Sequence, residues 1–330
     1  MKTSNVARLA LLAFYLLLTP GISRAEVTAI LAARVVDPET GATLHDQTIL
    51  VEDSRVVAIG SDVQVPAEAR VLAIPDLTLL PGYFDCHAHV AAWLIRPQRA
   101  IYTTWIHSTA YRVLRGSVYA REMLEAGFTT IRNLSEAGNY GDTALAQAID
   151  EGVIPGPKMI PAGLFVVPSG AEAPPNPEKP DLNWPDKVEA DTLDELRKVI
   201  RRNIHFGARV IKVLVDDTPY IYSAEELEFM VAEAGAAGVK VAAHAVTDRG
   251  ARAAAEARVG SIEHGTDMSE ETRALVKKNG VIVVPTPFTP FLIRQMGIRL
   301  SGMKNSDDFA DADKVHEKYV GALKQNYDSG

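Results

Sequence analysis

The chain has 330 residues, 47% of them hydrophobic, and a net charge of −8. That length suits one large domain with a smaller attached one, or two domains. The acidity and the absence of basic runs argue against a nucleic-acid partner, whose phosphates require clustered Lys and Arg, and a single cysteine, Cys86, rules out an internal disulfide, so a hydrophobic core of adequate size has to hold the fold.

Residues 1–25 read as a secretory signal peptide. Lys2 and Arg8 flank the apolar run Leu9–Leu18, Pro20-Gly21 breaks it, and Ser23-Arg24-Ala25 supplies small residues for cleavage after Ala25. The run is short for a bilayer span, so a stable membrane anchor is not expected. The expected location is the periplasm or the exterior of the cell. Residues 26–78 predict a small β domain with strands over Val27–Val36, Thr48–Ile59 and Val71–Ile74, and a turn at Asp37–Gly41.

From residue 79 a unit repeats: a helix, a closing glycine, a short apolar strand. The helices are expected over Ser117–Ala126, Asp142–Glu151, Leu193–Phe206, Ala224–Ala237, Asp248–Val259 and Glu270–Asn279, each followed by glycine, with a last one over Ala312–Ser329. Thr192 with Glu195 and Ser223 with Glu226 fit capping boxes at helix starts. Strands are expected near 79–84, 128–132, 158–162, 209–215, 239–243, 261–263 and 281–284. Their Val/Ile-rich runs suggest parallel strands covered on both faces. That alternation gives a barrel or an open doubly wound sheet, and no Gly-rich dinucleotide fingerprint supports the open sheet. Seven strands are one short of a closed eight-stranded barrel, so the chain is expected to be a fragment of a longer protein, with its barrel domain spanning 79–330. Val167–Ala190, rich in proline and charge with Trp184 inside, reads as a lid, a substrate wall or a passive loop.

Five residues at or near strand ends carry the functional signal. His87 and His89, two apart, point to one side of a strand and can share an ion. Lys212 interrupts an apolar strand. Burial favours its neutral amine, which can react with carbon dioxide to give a carbamate able to bridge two metals; the alternative is a lysine that snorkels out at the strand end. His244 and His264 each end a later strand. Singly, each histidine fits a satisfied core residue; together with Lys212 at successive strand ends they predict a metal site. Cys86, next to the histidine pair, reads as a small apolar side chain at a strand end rather than a nucleophile.

Pro81 to His89, Gly127–Asn133, Lys212, Val239–His244, Ile262–Gly265 and Val284–Thr286 together resemble the amidohydrolase superfamily, and within it the imidazolonepropionase-like and Xaa-Pro dipeptidase (prolidase-like) branch. The resemblance covers essentially residues 27–330. It implies an α/β fold, a TIM-type (β/α)8 barrel here lacking its eighth strand, with a small β-sandwich built from both chain ends. It also implies two divalent metal ions, commonly zinc: His87 and His89 on one, His244 and His264 on the other, and Lys212 as the carbamylated bridge. The family's catalytic Asp on the eighth strand has no counterpart in this chain, and Asp267 only imitates its Gly-Thr-Asp setting. Asn133 and the proline-rich stretch depart from the family pattern.

The implied activity is hydrolysis of an amide or other C–N bond by a metal-bridging hydroxide, on a small molecule such as a dipeptide or N-acyl amino acid. The alternatives are an organophosphate or lactone hydrolase on the same scaffold, a non-catalytic binding protein, or an inactive fragment. Tyr222 is a candidate contact for a substrate carboxylate or carbonyl, or else a loop-packing tyrosine. A homo-oligomer stays open.

Overall fold

In the computed structural model, residues 26–92, 107–135, 138–171, 186–296 and 309–330 are described. The expected signal peptide, Trp184 and most of the proline-rich stretch lie outside them. The chain divides into two compact units, residues 1–81 and 82–330.

The first unit is a four-stranded sheet of β1 (Val27–Val36), β2 (Thr43–Glu52), β3 (Arg55–Gly60) and β4 (Arg70–Leu79), in the order β3-β2-β1-β4. The single strand expected over Thr48–Ile59 is instead a hairpin. Asp53 and Ser54 take positive φ (46° and 64°), a two-residue turn whose twist matches that of the strands it joins, and residues 55–60 pair back onto 48–52. β4 runs well past the expected Val71–Ile74. It crosses Pro75 at a sheet edge, where a missing N–H is tolerated. Ala32, Val35 and Ile49 form this unit's small core.

The second unit is built from parallel strands alternating with helices. β5 (Tyr83–Ala88), β6 (Phe128–Asn133) and β7 (Lys158–Pro161) form one sheet. The other contains β8 (Phe165–Val167), β9 (Lys187–Glu189), β10 (Val210–Leu214), β11 (Lys240–Ala245), β12 (Ser261–His264) and β13 (Ile282–Val284), in the order β13-β12-β11-β10-β8-β9. The amide of Arg209, entering β10, donates to the Pro161 carbonyl that ends β7 (2.8 Å), which ties the two sheets together. Six of the seven expected strands coincide with β6, β7 and β10–β13. The first lies four residues later than expected, because Pro81-Gly82 separates it from β4. The short β8 and β9, which flank the proline-rich stretch, have no counterpart among the expected strands.

The helices are α1 (Thr109–Glu125), α2 (Gly141–Asp150), α3 (Leu193–His205), α4 (Ala224–Gly235), α5 (Asp248–Glu256), α6 (Glu270–Asn279), α7 (Pro290–Met296) and α8 (Phe309–Asp328). Both predicted capping boxes form, at Thr192 and Ser223. After α5 the left-handed residue is Arg258, not the expected Gly260. Gly260 serves close packing instead: a Cβ there would sit 2.9 Å from the Lys240 Cβ. Among the described residues, no helix is long and apolar enough to cross a membrane.

β10 shows how the sheet sorts its side chains. Ile211, Val213 and Val215 join the main core with Val199, Leu227 and Met230 of the helices. Alternate residues face the other way, where Val210 packs with Leu134 and Ala242, and Leu214 with Phe165. Lys212 lies between Val210 and Leu214 on that second face, and it is 1% exposed.

Candidate metal centre

The four histidines converge from three strands. His87, in β5, and His89, just beyond it, bring their Nε2 atoms to 3.2 Å. The His87 ring lies 4.9 Å from that of His264, and His264 lies 4.4 Å from His244, centroid to centroid. Lys212 is near enough to depress proton affinity at His87, His244 and His264. Its Nζ stands 5.4 Å from the centre of the Phe165 ring. The four histidines therefore meet in one place, with Lys212 buried in the adjoining strand β10, whose Leu214 pairs with His244.

Burial is the main force on these imidazoles. It pushes His87, His244 and His264 far below the ordinary histidine value, with the Lys212 charge adding to the effect. Burial thus favours the neutral ring, the form in which imidazole binds a metal.

Their outer nitrogens are anchored. His87 Nδ1 lies 2.7 Å from Glu263 Oε2, and since a carboxylate only accepts, Nδ1 carries the proton and Nε2 keeps its lone pair. His264 Nδ1 lies 2.6 Å from Thr286 Oγ1, and His89 Nδ1 reaches the Ser135 carbonyl at 3.5 Å.

His264 ends β12 with φ +75°, a left-handed conformation uncommon outside glycine, followed by Gly265 at +55°. Strained backbone of this kind costs about 1–3 kcal/mol and gathers at functional sites.

Among the described residues, no group of three or more His, Cys, Asp or Glu side chains is arranged to hold a metal ion. The imidazoles form a run, His89–His87–His264–His244, with ring centroids 5.1, 4.9 and 4.4 Å apart. The residues nevertheless fit a cation. His244 Nε2 is fully buried with no hydrogen-bond partner, a costly state for a polar atom that a bound ion would relieve. Two facing Nε2 atoms at 3.2 Å are likewise two donors directed at one point.

Tyr222 falls elsewhere. It is 3% exposed, and its hydroxyl donates to the Ala190 carbonyl (2.6 Å) within the main core. The hydroxyl thereby tethers the strand that follows the proline-rich stretch. Cys86 is exposed rather than packed. Asn133 is fully buried, with its Oδ1 accepting from Val90 N. Asp267 pairs with Lys318 at 2.7 Å, at the surface.

The residues that anchor the imidazoles were not assigned roles from the sequence. Arg132, Glu263 and Thr286 stand inside motifs quoted for the resemblance, but nothing in their spacing reveals bonds between β5, β6 and β12. One signal was available: a carboxylate in the short strand Ser-Ile-Glu-His, facing the same way as an interior serine, needs partners.

The sequence matches the amidohydrolase family over residues 78–320. It is 29% identical over 293 residues to the ochratoxinase of Aspergillus niger, covering 79% of this chain and 59% of that protein; the chain thus spans about three fifths of the curated relatives it matches. A prolidase solved with N-methylphosphonate-L-proline shares 26% identity and a TM-score of 0.75, covering 92% of this chain and 76% of that one. A Xaa-Pro dipeptidase with bound methionine, at 22% identity and TM-score 0.77, covers 92% of this chain and 77% of its own, and shows likeness of fold. With the match running over most of the parallel-strand unit, the chain belongs to the amidohydrolase family.

Proposed function

We propose that this protein is a metal-dependent hydrolase of amide C–N bonds acting on a small substrate, a dipeptide or an N-acyl amino acid with a free carboxylate. The carrying observation is the meeting of His87, His89, His244 and His264 beside the strand that buries Lys212, with the buried His244 Nε2 left without a partner. The strands β5–β7 and β10–β13 would supply seven staves of a TIM-type (β/α)8 barrel, and the four-stranded sheet one layer of a β-sandwich. In such a barrel the chemistry gathers at the carboxyl ends of the strands, where His87, His244 and His264 lie.

His87 and His89 would hold one divalent cation, zinc in this reading, and His244 and His264 a second. Lys212 would join them as a carbamate formed from its amine and carbon dioxide with release of a proton. Cations held there supply Lewis acidity, making water more acidic and polarising a carbonyl. The chain's own contribution is to keep the imidazoles neutral by burial and to aim them through Glu263, Thr286 and Ser135. Among the described residues we assign proton transfer to none, since Glu263 is already committed to three donors.

The substrate class draws support from the prolidase relative. Its ligand places a phosphonate on a proline nitrogen, where a peptide carries its carbonyl. The ochratoxinase and dipeptidase relatives fit a broader class of amide substrates. Residues 1–25 we read as a cleaved export signal, so the enzyme would work outside the cytoplasm; intact-mass analysis of the mature protein tests that directly.

The test of function is metal analysis and turnover on one sample. Stripped protein is reloaded with zinc or cobalt and offered Xaa-Pro dipeptides, N-acyl amino acids, a lactone and a phosphotriester. We expect metal-dependent hydrolysis of the amides. Turnover of only the lactone or phosphotriester would transfer the site to the rival chemistry, and an absence of bound metal would end the proposal.

A further inference from the structure

We infer that Glu263, clamped by Arg132 and Ser261, is a positioning residue that fixes the tautomer and aim of His87 and thereby the affinity of the cation site; the inference rests on the metal reading above. Glu263 lies within β12, fully buried. Its two oxygens take three side-chain donors. Oε2 accepts from His87 Nδ1 at 2.7 Å, and Oε1 accepts from Arg132 Nη2 at 2.6 Å and from Ser261 Oγ at 2.5 Å.

Arg132 is itself held at three points. Besides Glu263, its Nη1 donates to Ser261 Oγ at 2.9 Å and its Nε donates to the Cys86 carbonyl at 2.7 Å. The clamp therefore ties β5, β6 and β12, strands drawn from two different sheets. Ser261 Oγ takes a hydrogen from Arg132 and gives its own to Glu263, so the polarity of the chain of bonds is fixed. It ends at a carboxylate oxygen that can only accept from His87. The His87 proton is thereby kept on Nδ1, and the lone pair of Nε2 is presented toward His89 Nε2.

A buried carboxylate inside a sheet is costly, and a packing role would be served better by an apolar side chain. Its geometry matches the second layer of a metal site, where a carboxylate orients a ligating imidazole and raises its basicity. Glu263 also directly precedes His264, so one strand end orients a ligand of each pair.

The test is a cobalt titration of the metal-stripped full chain against a chromophoric chelator, with thermal melting of each variant. Glu263→Gln keeps the shape but replaces one oxygen with an NH2 that competes for the acceptor site of His87 or faces Arg132. Arg132→Lys leaves the carboxylate but loosens the clamp. We expect Glu263→Gln to melt cooperatively, to bind cobalt 10- to 100-fold more weakly and to alter the visible spectrum of the bound ion, with Arg132→Lys intermediate. If wild type binds cobalt and both variants match its affinity and spectrum, Glu263 is structural only and the inference falls, whatever their melting temperatures. Should Glu263→Gln fail to fold, the affinity of Arg132→Lys decides. A wild-type chain that takes up no cobalt overturns the metal reading, and this inference with it.

Discussion

Replacing Lys212 by Met should move stability and function in opposite directions. The amine is 1% exposed in a strand whose five residues are all buried. Taking a lysine head group out of water costs several kcal/mol even after relaxation, and the contact with the Phe165 ring at 5.4 Å returns about 1–2 kcal/mol of that. Methionine has nearly the same length, needs no hydration, and sits on the face shared with Val210 and Leu214. Substituting an apolar side chain of like volume should therefore gain about 2 kcal/mol. In a unit of this size that corresponds to a melting temperature higher by roughly 4–8 °C. The comparison is made by calorimetry on metal-stripped wild type and variant in chelator, so that bound ions do not add to either. The same variant should lose metal-dependent hydrolysis. A Lys212→Met protein that melts at or below wild type and retains turnover would refute the reasoning at both ends.

Acid should destabilise the metal-free protein through its histidines. The folded-state values of His87, His244 and His264 lie below the ordinary 6.5, so the unfolded chain takes up protons first; their contribution is intact above about pH 6.5 and is lost as pH falls below it, with a limiting slope of about 4 kcal/mol per pH unit for three protons. Urea unfolding of stripped protein from pH 7.5 to 5 measures that slope, and His244→Asn should reduce it by about a third. Arg112 and Asp186 form a bidentate, buried pair at 2.7 and 3.0 Å that ties α1 to the start of β9; Arg112→Met should cost about 3–5 kcal/mol by breaking this buried ion pair, as read from chemical denaturation. Tyr222→Phe should cost about 1 kcal/mol, the value of one buried hydrogen bond, and leave KM unchanged, whereas a KM increase of tenfold or more would return Tyr222 to the substrate.

The helix-glycine-strand rhythm was legible because each helix and its strand carry local signals: a cap, a terminal glycine, a Val/Ile run. The metal-site candidates were legible because a histidine or lysine at the end of an apolar strand is conspicuous. The hairpin at Asp53-Ser54 was not, since its left-handed turn uses no glycine. β8 and β9 are three residues each, too short for a period to register. Tyr222 looked available because it follows a strand, while the carbonyl that engages its hydroxyl lies 32 residues earlier. Arg132 and Glu263 meet across 131 residues, a contact that only the folded arrangement of strands defines.

The left-handed backbone at His264 limits how far this fold could be hardened by design. The substitutions that would relax it, glycine foremost and asparagine next, both discard the imidazole. Whatever free energy the distortion withholds is thus out of reach of any variant that keeps the imidazole, and a search for thermostable mutants should find its gains elsewhere and leave this position alone.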